Sequence, residues 1–207
     1  YFATVERAGR GASEILGETV QRIVANFAWP KSMRWGSGSL RWVRPLHGIV
    51  AMLGEEIVPV DIDGIVSGAT TVGHRFHHPG EITLGGASDY IEKLRACHVI
   101  VDQDERERIV RDGAEAAAAK AGLALLHDEG LVVENAGLTE WPVPLLGEFD
   151  EDFLDVPREV IVLTMRTNQK YFACTDDGGL LAPAFICTAN IDANDGGEAI
   201  VEGNRRV

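Results

Sequence analysis

No stretch of this 207-residue chain approaches the roughly 20 consecutive apolar residues that a membrane span requires. The opening Tyr1-Phe2-Ala3-Thr4-Val5-Glu6-Arg7 has no basic region leading into an apolar run, so it does not read as a secretory signal. Cysteine is scarce: Cys97, Cys174 and Cys187, with no CxxC, argue against a disulfide framework and against a cysteine zinc site. Buried thiols in a reducing cytosol are the expectation. GxxxxGK[ST], HExxH and GxSxG are all absent. P-loop nucleotide binding, zincin chemistry and a serine nucleophile elbow therefore have no anchor in this sequence. The chain also begins without Met and stops at Gly203-Asn204-Arg205-Arg206-Val207, and it is expected to be a piece of a longer cytoplasmic protein.

The composition that remains, 45% hydrophobic and 25% charged, is that of an ordinary folded domain or of two small lobes. The net charge of −13 opposes nucleic-acid binding by the chain as a whole, because phosphates are held by Lys and Arg. The charge is unevenly spread. Residues 19–54 contain no Asp or Glu but hold Arg22, Lys31, Arg34, Arg41 and Arg44, a local +5. The rest carries 14 basic against 32 acidic residues, or −18. Within the basic window, Lys31, Arg34, Arg41 and Arg44 are interleaved with Trp35 and Trp42. Cations can neutralise phosphates, and an indole can stack on a base or hold a guanidinium. The alternative is that both Trp residues are core anchors and the arginines pair with the acidic body. Composition leaves both readings open.

Periodicity predicts a helix over 12–27, with Leu16, Val20, Ile23, Val24 and Phe27 on one face and Ser13 as N-cap. Strands are expected over 40–43, 46–53 and 57–62, with a hairpin at Gly54, and over 81–84. A short helix follows over 88–96, and then a short strand over 98–101. Asp102 and Glu105 form a capping signal for a helix running to about residue 121, stopped by Gly122. Residues 131–138 are ambiguous between helix and strand. A strand is expected over 143–149 and a helix over 157–167, although Val160-Ile161-Val162 pulls the other way. Asp176-Asp177-Gly178-Gly179 marks a hairpin between 170–175 and 180–190. The class is α+β, a mostly antiparallel sheet with helices packed on it, divided into a helical segment 1–28 and an α+β domain 29–207.

The cluster His74, His77 and His78 lies between Gly73 and Pro79, where a helix is not expected. A surface or structural loop is the expectation there, rather than a metal site, with a polar contact of His74 or Arg75 to a ligand or partner as the remaining alternative. Gly36-Ser37-Gly38 reads as a turn. The acidic runs read as solvated faces, so no catalytic residue is assigned.

Lys31-Ser32-Met33-Arg34-Trp35 followed by Val43-Arg44-Pro45 resembles the beta subunit of the bacterial two-subunit glycine–tRNA ligases. Further matches follow in the order of that family: Thr71-Val72-Gly73-His74-Arg75-Phe76, Ala87-Ser88-Asp89-Tyr90, Glu140-Trp141-Pro142-Val143, the run from Thr164 through Lys170 to Phe172, Asn190-Ile191, and the closing Gly203 to Val207. The resemblance implies an α2β2 enzyme that attaches glycine to tRNA with ATP and Mg²⁺. Its alpha subunit would activate glycine, and its beta subunit would recognise the tRNA. It implies an editing-type (B3/B4-like) domain without catalytic groups or a metal of its own, partnered by the alpha subunit and glycine tRNA and by neither membrane nor DNA. Expected tRNA contacts are Lys31, Arg34, Trp35, Arg41 and Arg44, with His74, Arg75 and Lys170 as lesser ones. A hydrolytic editing module and a pure subunit-interaction module are the alternatives.

Overall fold

The computed structural model describes residues 2–6 and 8–206. The chain divides into two compact units, Tyr1–Gly73 with Pro79–Lys93, and His74–His78 with Leu94–Val207. The division does not fall at residue 28. Helix α1 (Ala12–Ala25) packs inside the first unit, because its Val20 and Val24 belong to the same apolar cluster as Val58, Val60 and Ile62. Among the described residues no helix is long and apolar enough to cross a membrane.

The first unit is built from α1 and short strands. These are β1 (Ile49–Val50), β2 (Met52–Leu53), β3 (Glu56–Ile57), β4 (Asp61–Ile62), β5 (Ile65–Gly68), β6 (Thr70–Val72) and β7 (Glu81–Thr83). The expected hairpin at Gly54 is present. β2 and β3 pair antiparallel, and Gly54 has φ 63°, a left-handed conformation that glycine adopts without steric cost. β4 and β5 are also antiparallel, as are β6 and β7, whereas β1 and β5 run parallel. Ser13 does not cap α1. Gly11 holds that position without a side-chain bond, while Arg10 pairs with Glu14 and Glu18 along the first turns. Leu16, Ile23 and Phe27, expected on the buried face, are exposed. Val20 and Val24 make the contact with the core, and α1 can approach that closely because residue 17 is glycine. A Cβ there would lie 2.4 Å from the Pro59 carbonyl oxygen.

The second unit is a four-stranded antiparallel sheet in the order β8-β10-β11-β9: β8 (Ala124–Leu125), β9 (Val143–Glu148), β10 (Phe172–Thr175) and β11 (Leu181–Ala189). Alternation along β11 sorts its side chains to two faces. Ala182, Ala184 and Ile186 join Phe172 and Cys174 against α3 (Gln103–Lys120) and α4 (Glu129–Leu138). Phe185 and Cys187 join Tyr171 on the other face. α3 presents Val110, Ala114 and Ala118 at four-residue spacing, and these small side chains let it lie close to the sheet. Burial pushes the Cys174 thiol up to about 11, so it stays protonated.

The expected hairpin at Asp176 is present. Asp176 Oδ1 accepts from the N–H groups of Gly178 and Leu180. Asp102 caps α3 by accepting from Glu105 N, but the Glu105 carboxylate pairs with Arg95 instead of reaching back. The ambiguous stretch at 131–138 is helix, capped by Asp128, whose carboxylate also pairs with Arg166. Residues 98–101 are not a strand: His98 has φ 60°, which breaks the extended run. The helix expected over 157–167 is α5 (Arg158–Thr164), continued by a π turn over Met165–Gln169 that ends at Lys170, φ 62°. β5, β6, β8 and α6 (Glu198–Arg205) are not anticipated by local periodicity. α2 (Tyr90–Ala96) follows a 3-10 turn over Ala87–Asp89.

Gly17→Ala tests the fit of α1. Helix propensity alone would stabilise the variant by about 1 kcal/mol. Overlap with a backbone oxygen that cannot swing aside costs about 1–3 kcal/mol. The expected result is a lower urea midpoint followed by tryptophan emission; an unchanged or higher midpoint would mean that α1 does not sit on Pro59.

Candidate nucleic-acid interface

The basic window folds into two arms tied at one point. Met33 N donates to Trp42 O at 2.9 Å, and Trp42 N donates to Met33 O at 3.2 Å. This antiparallel bridge brings Lys31, Arg34 and Trp35 on one arm beside Arg41 and Arg44 on the other. All four cations are exposed and Trp35 is half-buried. Arg41 Nε donates to Ser32 Oγ at 3.1 Å, and Arg44 donates to the Val43 carbonyl at 3.0 Å. Among the described residues none of the four forms an ion pair, in contrast to Arg10, Lys93, Arg95, Arg111, Arg166, Lys170 and Arg206. Trp42 is not a free platform: Phe27, Trp29 and Trp42 pack together, with ring centroids 4.6, 4.8 and 5.7 Å apart.

Beside these arms lies an open groove of about 640 Å³, lined among others by Gln21, Asn26, Phe27, Arg41, Asp61 and Asp63. Asp61 Oδ1 accepts from Gly64 N at 2.9 Å and so closes the turn between β4 and β5. The two carboxylates and the amides were not singled out from the sequence. In the sequence Asp61 falls within the strand expected over 57–62, and only the fold brings Asp61 and Asp63 into one groove with Phe27 and Arg41.

The remaining sequence candidates, His74, Arg75 and Lys170, lie in the second unit, where His74 and Lys170 are bonded within the fold. His74 is fully buried. Its Nδ1 accepts from Phe76 N at 3.3 Å and His77 N at 3.2 Å, so the ring proton is on Nε2, which donates to Asn190 O at 2.6 Å. Both nitrogens are spent on backbone groups, and His74 has none to offer a ligand. A proton-donating Nε2 on a neutral ring also makes its 4.0 Å approach to Glu140 no ion pair. Lys170 is engaged too, with Nζ 2.7 Å from Glu134 and 3.0 Å from Thr167 O. Arg75 is exposed, its guanidinium 5.2 Å from the Phe76 ring centroid.

Around His74 three of the motif segments meet. Asn190 Oδ1 accepts from Glu140 N and Trp141 N at 2.8 and 2.9 Å. His77 stacks on His98 at 4.5 Å, His98 packs edge-on to Trp141 at 4.7 Å, and His77 Nε2 accepts from Asp192 N at 3.0 Å. Among the described residues, no group of three or more His, Cys, Asp or Glu is placed to hold a metal ion.

Burial lowers the His77 pKa from its ordinary 6.5, with smaller contributions from His74 and His98 and an opposing one from Asp192. The unfolded chain therefore binds this proton more tightly. The stabilisation from neutral His77 is complete above the unfolded value and is lost as pH falls towards the folded one. His77→Phe keeps a ring on His98 but gives Asp192 N no acceptor. The melting-temperature gap between wild type and variant should be wide at about pH 7.5 and narrower at about pH 5.5; a gap that does not change with pH contradicts this role.

The whole chain, residues 1–207, matches the family described as glycyl-tRNA synthetase beta subunit. It is 47% identical over its full length to the glycine–tRNA ligase beta subunit of Paracoccus denitrificans, 48% to that of Dinoroseobacter shibae and 43% to that of Rhodospirillum centenum. It spans 31%, 29% and 32% of the length of those relatives. With a match of that extent and identity, the chain belongs to the glycyl-tRNA synthetase beta subunit family.

Proposed function

We propose that this chain is a non-catalytic, tRNA-facing part of the beta subunit of a cytoplasmic α2β2 glycine–tRNA ligase. Its partner, the alpha subunit, would bind ATP and Mg²⁺ and activate glycine. Here the chain helps to position glycine tRNA through Lys31, Arg34, Arg41 and Arg44 on phosphates, with Trp35 as the stacking group and Arg75 as a separate contact. One observation carries this reading: four exposed cations, without ion pairs among the described residues, are gathered around the Met33–Trp42 bridge of a chain that is otherwise strongly acidic. Arg95, Arg111, Arg166 and Arg206, by contrast, are matched by carboxylates. The acidic remainder adds orientation, because its net negative charge repels a polyanion while the basic arms attract it. The α+β build, an antiparallel sheet covered by helices, is compatible with an editing-type (B3/B4-like) domain that serves here as a platform.

Arg34→Glu with Arg44→Glu in the assembled full-length enzyme tests the reading. tRNA binding should weaken, and its log–log salt dependence should flatten by roughly 0.7–0.9 for each phosphate that is no longer neutralised. Unchanged affinity and slope in a folded variant would remove the basic arms from tRNA binding.

A further inference from the structure

The groove beside the basic arms has features that phosphate binding does not explain. We propose that it holds one unstacked guanine base of the bound RNA, with its ring on Phe27 and its Watson–Crick edge on the carboxylate of Asp63; this rests on the basic arms contacting RNA. At about 640 Å³ the groove is in the range of small-ligand sites. Phe27 is 49% exposed and packs against Trp29 and Trp42, so it is a supported platform that borders the groove. Stacking on such a ring is favourable for any base.

The acids supply the choice among bases. A carboxylate within a cationic surface opposes phosphate binding, and its gain comes only from hydrogen-bond donors. An ionised carboxylate accepts and cannot donate. Guanine places N1–H and N2–H side by side, and both can reach the two oxygens of one carboxylate. Adenine and cytosine set one exocyclic amine beside a ring-nitrogen acceptor, and uracil sets one N–H between two carbonyls. Those acceptors would face the carboxylate and be repelled.

Asp63 is the residue placed to read that edge. Asp61 is already committed to the Gly64 turn. The Asp63 carboxylate lies against Gly38, where a Cβ would come within 2.3 Å of Oδ2, so the absence of a side chain at 38 leaves that carboxylate its place. Arg41 lines the same groove and is held through its Nε on Ser32, which leaves its terminal nitrogens for the phosphate of the captured nucleotide.

Footprinting with kethoxal, which reacts at guanine N1 and N2, tests this on glycine tRNA saturated with the full-length enzyme and its alpha subunit. The variants are Asp63→Asn, which keeps size and accepts the positive φ of residue 63, and Phe27→Ala. The expected result is one unpaired guanine that wild type protects and that becomes reactive again in both variants, with a loss of tRNA affinity of about tenfold in Asp63→Asn. The proposal is overturned if wild type protects no guanine, or if protection survives in both variants. Should affinity still fall on charge reversal of Arg34 and Arg44, the groove assignment alone has failed. If charge reversal also leaves affinity unchanged, the RNA contact has failed with it.

Discussion

Asn190 uses its carbonyl and its carboxamide oxygen to hold two distant stretches of chain. The carbonyl accepts from His74 Nε2, 116 residues away, and the side-chain oxygen accepts from the N–H groups of Glu140 and Trp141, 50 and 49 residues away. Each of those groups sits where no helix or strand supplies a partner. Residues 74–78 form a loop between β6 and β7 in sequence. Residues 139–142 lie between the end of α4 and the start of β9. Leaving one buried polar group of this kind unpaired costs about 1–3 kcal/mol, so a single side chain that satisfies two amides, with a carbonyl that orients an enclosed imidazole, decides the course of the chain there. The π turn is fastened comparably: Asn135 Nδ2 donates to the Lys170 carbonyl at 3.1 Å and to Leu131 O at 3.0 Å.

This separates two kinds of residue that the family resemblance presents as one series. His74, Glu140, Trp141 and Asn190 contribute groups that satisfy one another and are consumed by folding. Arg166, in the motif run that begins at Thr164, is consumed in the same way by Asp128, whose carboxyl it holds below the ordinary range. Lys31 to Trp35 and Val43-Arg44-Pro45 differ, since their charges meet no acid among the described residues. A motif fixed by packing and a motif left charged at the surface have the same appearance in a sequence, and only their bonding partners tell them apart.

Much of the fold was legible because local signals agreed. Asp102 before α3, Gly54 in its turn and the Asp176 hairpin each combine a turn or cap residue suited to its backbone with flanking runs of the right period. The misses have physical causes. His98 adopts a left-handed conformation for which a β-prone neighbourhood gives no warning. β5, β6 and β8 are two to four residues long and derive their stability from pairing with other segments, which no local window contains. Ile23 and Phe27 had the right spacing for burial, but the core contact was set by Gly17 meeting Pro59, a long-range fact. For the site, charge depletion over residues 19–54 pointed to the arms directly. The groove was not legible, because Asp63 reaches Phe27 and Arg41 only through the turn between β4 and β5.

The division of labour between a satisfied interior and a charged surface is open to a single measurement: amide hydrogen exchange of the full-length protein with and without tRNA. Amides on both sides of the Met33–Trp42 bridge should slow when tRNA binds, while those of Glu140, Trp141 and Asp192 should be slow already and stay unchanged. Slowing confined to the Asn190 network, with the bridge amides unaffected, would contradict the account.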